Sequence, residues 1–210
     1  MSRKVDPRAN RVGITKGWNS LWFADDKLYS KNLIEDYYIR KLLGKELRKA
    51  GLDKINIERS IKTLKIIIHV ARPGVVIGRK GSELGALRIK LAKLTKSELD
   101  IQIEEIKKPE ISAGIVSDTI AMQLERRMSA RKSMNIAATK AMDAGAKGIK
   151  IVIKGTIYGP STIGTTLSIY KGAIPTQTLR ADIDFAKSVA HTIGGTLGTK
   201  VWIYKGNLII

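Results

Sequence analysis

Apolar and polar residues alternate through Leu64, Ile66, Ile68 and Val70, a phase that predicts a strand with one buried face. Ile55 and Ile57 alternate the same way before it, and a turn falls around Arg59-Ser60-Ile61. Ile101 and Ile103 mark a third strand over about 99–106. Elsewhere the period becomes helical. Over about 27–49, Leu33, Tyr37, Ile39, Leu42, Leu43 and Leu47 are available for burial, and Gly51 ends the helix as a C′ glycine. Leu84, Leu87, Leu91 and Leu94, spaced three, four and three apart, predict a second helix.

At Lys107-Lys108-Pro109-Glu110 the pattern breaks, which sets a domain boundary. A helix over about 110–128 carries Val116, Ile120 and Leu124 four apart, and a second, from near Arg131 to Gly145, turns Met134, Ala138 and Ala141 inward. Strands are predicted at 149–153, 166–170, 181–185 and 200–204, punctuated by glycines. The fold class is α+β: a basic arm with the first helical segment (1–38), a mixed domain (39–107), and a second domain of two helices on a mostly antiparallel sheet (108–210).

Between the Val70 strand and the Leu84 helix lies a short 73–77 segment and then Gly78-Arg79-Lys80-Gly81. Glycines at both ends let the chain turn sharply and let a ligand approach the backbone. Two cations between them, running into a helix, suit a phosphodiester backbone. That is the logic of the K-homology (KH) module, whose GXXG loop clamps about four nucleotides of single strand. Gly145 to Gly148 and Gly195 to Gly198 match the same four letters, so the context separates the first copy. The Gly195 copy has no helical pattern after it and is read as a hairpin turn.

The charge balance points the same way. Lys and Arg number 38 against 19 Asp and Glu, a net +19, and self-repulsion of that size is a cost to a compact fold unless a polyanion answers it. Hydrophobic content of 43% against 27% charged is that of a folded chain. No apolar run approaches the ~20 residues needed to span a bilayer, so no membrane partner is expected. Without cysteine there is neither a disulfide framework nor a thiolate metal site, and a cytoplasmic location is expected, an organellar one remaining open.

Cations cluster in two further places. Residues 1–16 carry Arg3, Lys4, Arg8 and Arg11 and read as an extended arm that inserts into folded RNA, or else as a frayed basic terminus. Trp18, Trp22 and Phe23 pack that arm to the body or stack on a base, and Trp22 is carried among the RNA-contact candidates. At the corner between the 110–128 helix and its successor stand Arg126, Arg127, Arg131 and Lys132, a phosphate-facing patch; Lys147 and Lys150 follow.

Catalytic motifs are missing. The chain lacks GxxxxGK[ST] and G-x-G-x-x-G, and no cofactor is expected. His69 reads as a partly buried structural residue. Asp182 and Asp184 share a strand face and, with His191, form a remote candidate for a metal-dependent nuclease; the plainer reading has Arg180 and Lys187 balancing those acids. The expectation is no catalytic residue, no metal and no enzyme.

Several segments together resemble the bacterial-type ribosomal protein S-three family of the small subunit. They are Lys4-Val5-Asp6-Pro7, Arg11-Val12-Gly13, Trp18-Asn19-Ser20-x-Trp22, Ala71 to Gly81, Leu124-Glu125-Arg126-Arg127, Gly145 to Lys150, Thr178 to Asp184 and Lys200 to Gly206, in family order and spacing. The resemblance implies a type II KH domain followed by an α+β domain in the head of the small subunit. It further implies binding to small-subunit rRNA, with proteins S-ten and S-fourteen as neighbours, no homo-oligomer, and a part in the pore through which mRNA enters. The mRNA-guiding and unwinding role falls on Arg131 and Lys132. Where the family commonly has a further cation one turn on, this chain has Asn135. Asp6 stands for a usual Asn or His, and 156–170 is poorer in arginine than the family. A free KH-domain regulator is the alternative.

Overall fold

The computed structural model describes residues 4–60, 63–95, 97–158 and 163–208. Two compact units emerge: one spans Trp18–Lys107, and the other joins the stretch through Gly17 to everything from Lys108 onward. The sequence reading set 1–38 apart as one segment. In the structure its helix belongs with 39–107, whereas its basic start belongs with the C-terminal part.

In the first unit β1 (Ser20–Leu21) is followed by α1 (Asp26–Glu46), which tightens into a 3-10 turn at Leu47–Ala50 before Gly51. Then come β2 (Leu52–Arg59), β3 (Thr63–Val70), α2 (Pro73–Ile77), α3 (Ser82–Ala92) and β4 (Glu98–Glu105). The sheet order is β1-β2-β3-β4. Strand β3 runs antiparallel to β2 and parallel to β4, so the β3–β4 connection must cross over, and α2 and α3 supply the crossover. Ile55 and Ile57, then Leu64, Ile66, Ile68 and Val70, place their side chains on one face, against Ile39 and Leu43 of α1, Val76 of α2 and Leu87 and Leu91 of α3.

Two of the α1 residues read as available for burial face the other way. Leu33 and Tyr37, expected to be available for burial, are about half exposed or more, with Tyr37 at 60%. The buried stripe of α1 is Ile39 and Leu43, continued by Leu47 and Ala50 in the 3-10 turn. Polar ties fix the same helix. Arg59 of β2 reaches Asp36 at 2.6 Å and Glu35 at 2.9 Å, and Asp36 accepts the Trp22 indole N–H at 2.9 Å. Removing either partner of so buried a pair leaves a charge without compensation, which costs about 3–5 kcal/mol.

The second unit stacks α4 (Ala113–Glu125) and α5 (Ala130–Asp143) on a sheet of β5 (Gly148–Gly155), β6 (Thr165–Gly172), β7 (Ala181–Thr192) and β8 (Gly195–Asn207). The order is β6-β5-β8-β7, antiparallel throughout. Helix α4 lies on β7 and β8, and α5 on β5 and β6. Val116, Ile120, Leu124, Met134, Ala138 and Ala141, the residues that the helical period selected, are all buried against Ile149, Ile151, Val201 and Ile203. The last two strands outrun the apolar runs that signalled them, and the hairpin between them turns at Ile193-Gly194, so Gly195 to Gly198 lies inside β8.

The opposite face of this sheet carries Phe185, Trp202 and Tyr204, with Phe185 and Trp202 ring centroids 4.9 Å apart. Residues 4–17 fold against this face. Arg8 lies over the Phe185 ring at 5.7 Å, Lys16 pairs with Asp182 at 2.5 Å, and Arg11, in a 3-10 turn at Ala9–Arg11, is completely buried. An extended or frayed arm is thus not what the described residues form. The stretch covers apolar surface that would otherwise be wet.

Candidate nucleic-acid interface

Helix α2 stops at Gly78, whose φ of +72° lies in the left-handed region, and a 3-10 turn over Arg79–Gly81 leads to Gly81 at φ +80°. The two glycines serve different ends. A Cβ on Gly78 would stand 2.5 Å from Cγ and 2.9 Å from Cβ of Glu83, so that glycine lets the loop pack on α3. A Cβ on Gly81 would meet nothing within 4 Å. Open space beside a backbone in left-handed conformation leaves room for a ligand. Arg79 is exposed, as are the neighbouring Val75 and Ile77, which give the loop an apolar rim. The Lys80 side chain lies outside the described residues.

At the α4–α5 corner the chain reverses within four residues. Arg126 caps α4, and Arg127 adopts φ +62°, the one non-glycine residue with positive φ among those described. The Arg127 backbone N–H donates to Leu124 O at 2.9 Å and that of Met128 to Gln123 O at 3.0 Å, closing the helix end. Glycine usually occupies such a position because a Cβ is penalised there. Arg126, Arg127, Arg131 and Lys132 are all exposed, with no ion pair to an acidic side chain among the described residues. Helix α5 has no acid in its first turn, and its N-cap, Ser129, makes no capping hydrogen bond with its side chain. The corner therefore gathers exposed positive charge at the start of α5, where the helix dipole adds to it.

The remaining candidates are used in several ways. Arg3 lies outside the described residues. Lys4 and Lys147 are exposed, and Arg8 is exposed with a 3.5 Å contact to Asp6. Lys150 sits over two rings, 4.7 Å from Tyr170 and 5.0 Å from Trp202, and its hydrogen bond, with its charge adding, holds the Tyr170 phenol below its ordinary range. Cross-strand register brings this trio together, since Lys150 pairs with Tyr170 on one side and Trp202 on the other.

Two candidates have internal tasks instead. The Arg11 guanidinium donates to Ala181 O at 2.8 Å, Pro7 O at 2.8 Å, Thr178 O at 2.8 Å and Thr176 O at 3.1 Å. Burial lowers its pKa and nearby Asp182 opposes the shift. With four of its five N–H donors committed inside the fold and the side chain fully buried, Arg11 is not turned to a phosphate. Trp22 is half-buried, tilted against Tyr29 at 5.2 Å and tied to Asp36, so its place is structural. Trp18 and Phe23 are both exposed, Phe23 at 92%.

Asp182, Asp184 and His191 do not converge. Asp182 pairs with Lys16, whereas Asp184 accepts the Ala113 N–H at the start of α4 at 2.9 Å and lies 3.8 Å from Lys205. The expected balancing by Arg180 and Lys187 is replaced by these partners, and Lys187 instead lies over the Phe185 ring at 5.4 Å. Seven residues of strand, about 23 Å, separate His191 from Asp184. Among the described residues no group of three His, Asp or Glu could hold a metal ion. His69 is half-buried: Nδ1 is 3.1 Å from Glu104 and Nε2 is 3.3 Å from Asn56, while desolvation, then Lys54, lower its pKa against Glu104 and Asp53.

Residues 38–111 match the family described as KH domain, which contains the GXXG loop. Residues 120–203 match that described as Ribosomal protein S3, C-terminal domain, which contains the α4–α5 corner. Small ribosomal subunit protein uS3 of Caldicellulosiruptor saccharolyticus is 48% identical over 210 residues, covering 100% of this chain and 94% of the relative. The protein of the same name from Shewanella amazonensis is 46% identical over 209 residues, 100% of this chain and 90% of its own length.

Proposed function

We propose that this chain, which belongs to the small ribosomal subunit protein uS3 family, is a structural constituent of the small-subunit head that binds rRNA and guides incoming mRNA. Full-length identity of 48%, with the KH and C-terminal matches in order, carries the proposal. The family is one of structural ribosomal proteins, so the chain is not an enzyme. The place of action is the ribosome in the cytoplasm.

The division of labour follows the chemistry. Lys4, Arg8, Lys147 and Lys150 are the proposed rRNA phosphate contacts, which position the protein without reading sequence. Arg126 and Arg127 join them at the corner, and Arg131 and Lys132 are the residues that touch passing mRNA. What supports this is four exposed cations on one helix–helix corner without an ion pair to an acidic side chain among the described residues. The outward face of α1, with Leu33, Ile34, Tyr37 and Tyr38 each half exposed or more, supports protein neighbours. Contiguous apolar side chains of this kind are covered in an assembly, and S-ten and S-fourteen are the proposed occupants.

The corner is tested by replacing Arg131 and Lys132 with Gln in reconstituted small subunits. Assembly is expected to be retained, and translation through a stable mRNA hairpin slowed relative to unstructured message. An assembly defect, or unchanged speed on the hairpin, would contradict the mRNA assignment.

A further inference from the structure

The corner borders a cleft of about 840 Å³ inside the second unit. Its walls come from the end of α4, the start of α5, the stretch after β5, and the β7–β8 turn. Leu124 and Leu197, both buried, and Leu167 and Ile157, both half-buried, make an apolar floor. Arg127 and Arg131, both exposed, line the cleft together with Tyr158 and Ile193, 76% and 87% exposed. The carboxylate that lines it, Glu125, accepts the His191 backbone N–H at 3.4 Å.

An apolar floor of this size, with exposed cations at the rim, matches a ligand that is flat and apolar at one end and anionic at the other. We infer that the cleft takes one unpaired nucleotide of the RNA strand held at the corner. Its phosphate lies between Arg127 and Arg131, and its base lies within, over the floor and against Tyr158 and Ile193. The inference rests on the proposal that the corner meets single-stranded RNA, and adds what that strand does there. The Arg127 backbone supports it. Glycine would sit at φ +62° without penalty, so an arginine there is strained, and that residue lines the cleft.

The cleft gives a base a place out of the stack, and stacking on side chains is the sequence-tolerant way to hold one. A strand read in this way is gripped through backbone and π-face, whatever its sequence. That is the selectivity a passing message requires.

The test uses the full chain and a single-stranded RNA 12-mer carrying 4-thiouridine, with binding followed by anisotropy and cross-links mapped by mass spectrometry. Cross-links are expected on 156–158 and 191–194. Arg127→Gly should leave the melting temperature unchanged or raise it, weaken binding, and lower the log–log salt slope by about 0.7. Ile193→Asp, at an exposed turn that tolerates change, should weaken binding by about tenfold. If Arg131→Gln with Lys132→Gln weakens binding but neither cleft variant does, and cross-links miss both segments, the cleft inference falls while the corner stands. If the Arg131/Lys132 variant also binds as the parent does, the corner reading itself fails.

Discussion

Replacing Arg11 by Met tests whether the N-terminal stretch is part of the fold or an arm reserved for RNA. Methionine keeps the length and apolar stem of the side chain but removes every donor. Four backbone carbonyls, of Pro7, Thr176, Thr178 and Ala181, would lose partners that now lie at 2.8 to 3.1 Å. An orphaned buried polar group costs about 1–3 kcal/mol, so four taken separately overstate the loss. Breaking a buried charged network by removing one member typically costs about 3–5 kcal/mol, and that is the expected drop. Lysine should not rescue it, because three donors on one ammonium cannot replace a planar fork that reaches four acceptors. Urea unfolding of the full chain, with hydrogen exchange by mass spectrometry, reads the effect. Protection should fall over 4–17 and 174–181, and the transition of the unit spanning Trp18–Lys107 should stay put. A loss below about 1 kcal/mol, or exchange unchanged over both segments, would refute the structural role given to Arg11.

Gly81→Asp and Gly78→Asp separate RNA contact from loop packing. Asp at the open, left-handed Gly81 should cost about 1 kcal/mol of stability and weaken binding of single-stranded RNA, whereas Asp at Gly78 must also displace Glu83 and should destabilise the first unit more. Equal stability for the two, or unchanged binding by Gly81→Asp at low salt, would count against this account of the loop. His69 supplies a pH signature. Its folded pKa is lowered, so the unfolded chain takes up the proton more readily. That contribution to stability is complete above the unfolded value of about 6.5 and is lost as pH falls toward the folded value. His69→Gln should flatten the midpoint-versus-pH curve over that window; a curve of unchanged slope would show that His69 is not responsible.

Much of this was legible in the sequence, and the reason is periodicity. Leu64, Ile66, Ile68 and Val70 in alternation, and Val116, Ile120 and Leu124 four apart, each mark one buried face, so the chain alone betrays their elements. The loop from Gly78 to Gly81 was legible because it sits between two such patterns. Arg11 was not: its side-chain acceptors include carbonyls 165 to 170 positions away, and a sequence displays a charge but not its partner. Helix α1 misled in another way, since apolar residues on two sides of it cannot all face one sheet, and Leu33 and Tyr37 fall on the outer side. The acids Asp182 and Asp184 looked like a pair, but a bulge between Asp182 and Ile183 breaks the strand register there. The cleft beside Arg127 escaped notice because its walls come from segments far apart in the chain, none of which is distinctive alone.

Sedimentation of native lysate through a gradient, at high and then at low magnesium with a probe for this chain, tests the central claim most directly. The account requires migration with the small subunit, persisting after the subunits separate. Residence in the light fractions alone at both magnesium levels would contradict it and favour a free KH-domain RNA-binding regulator.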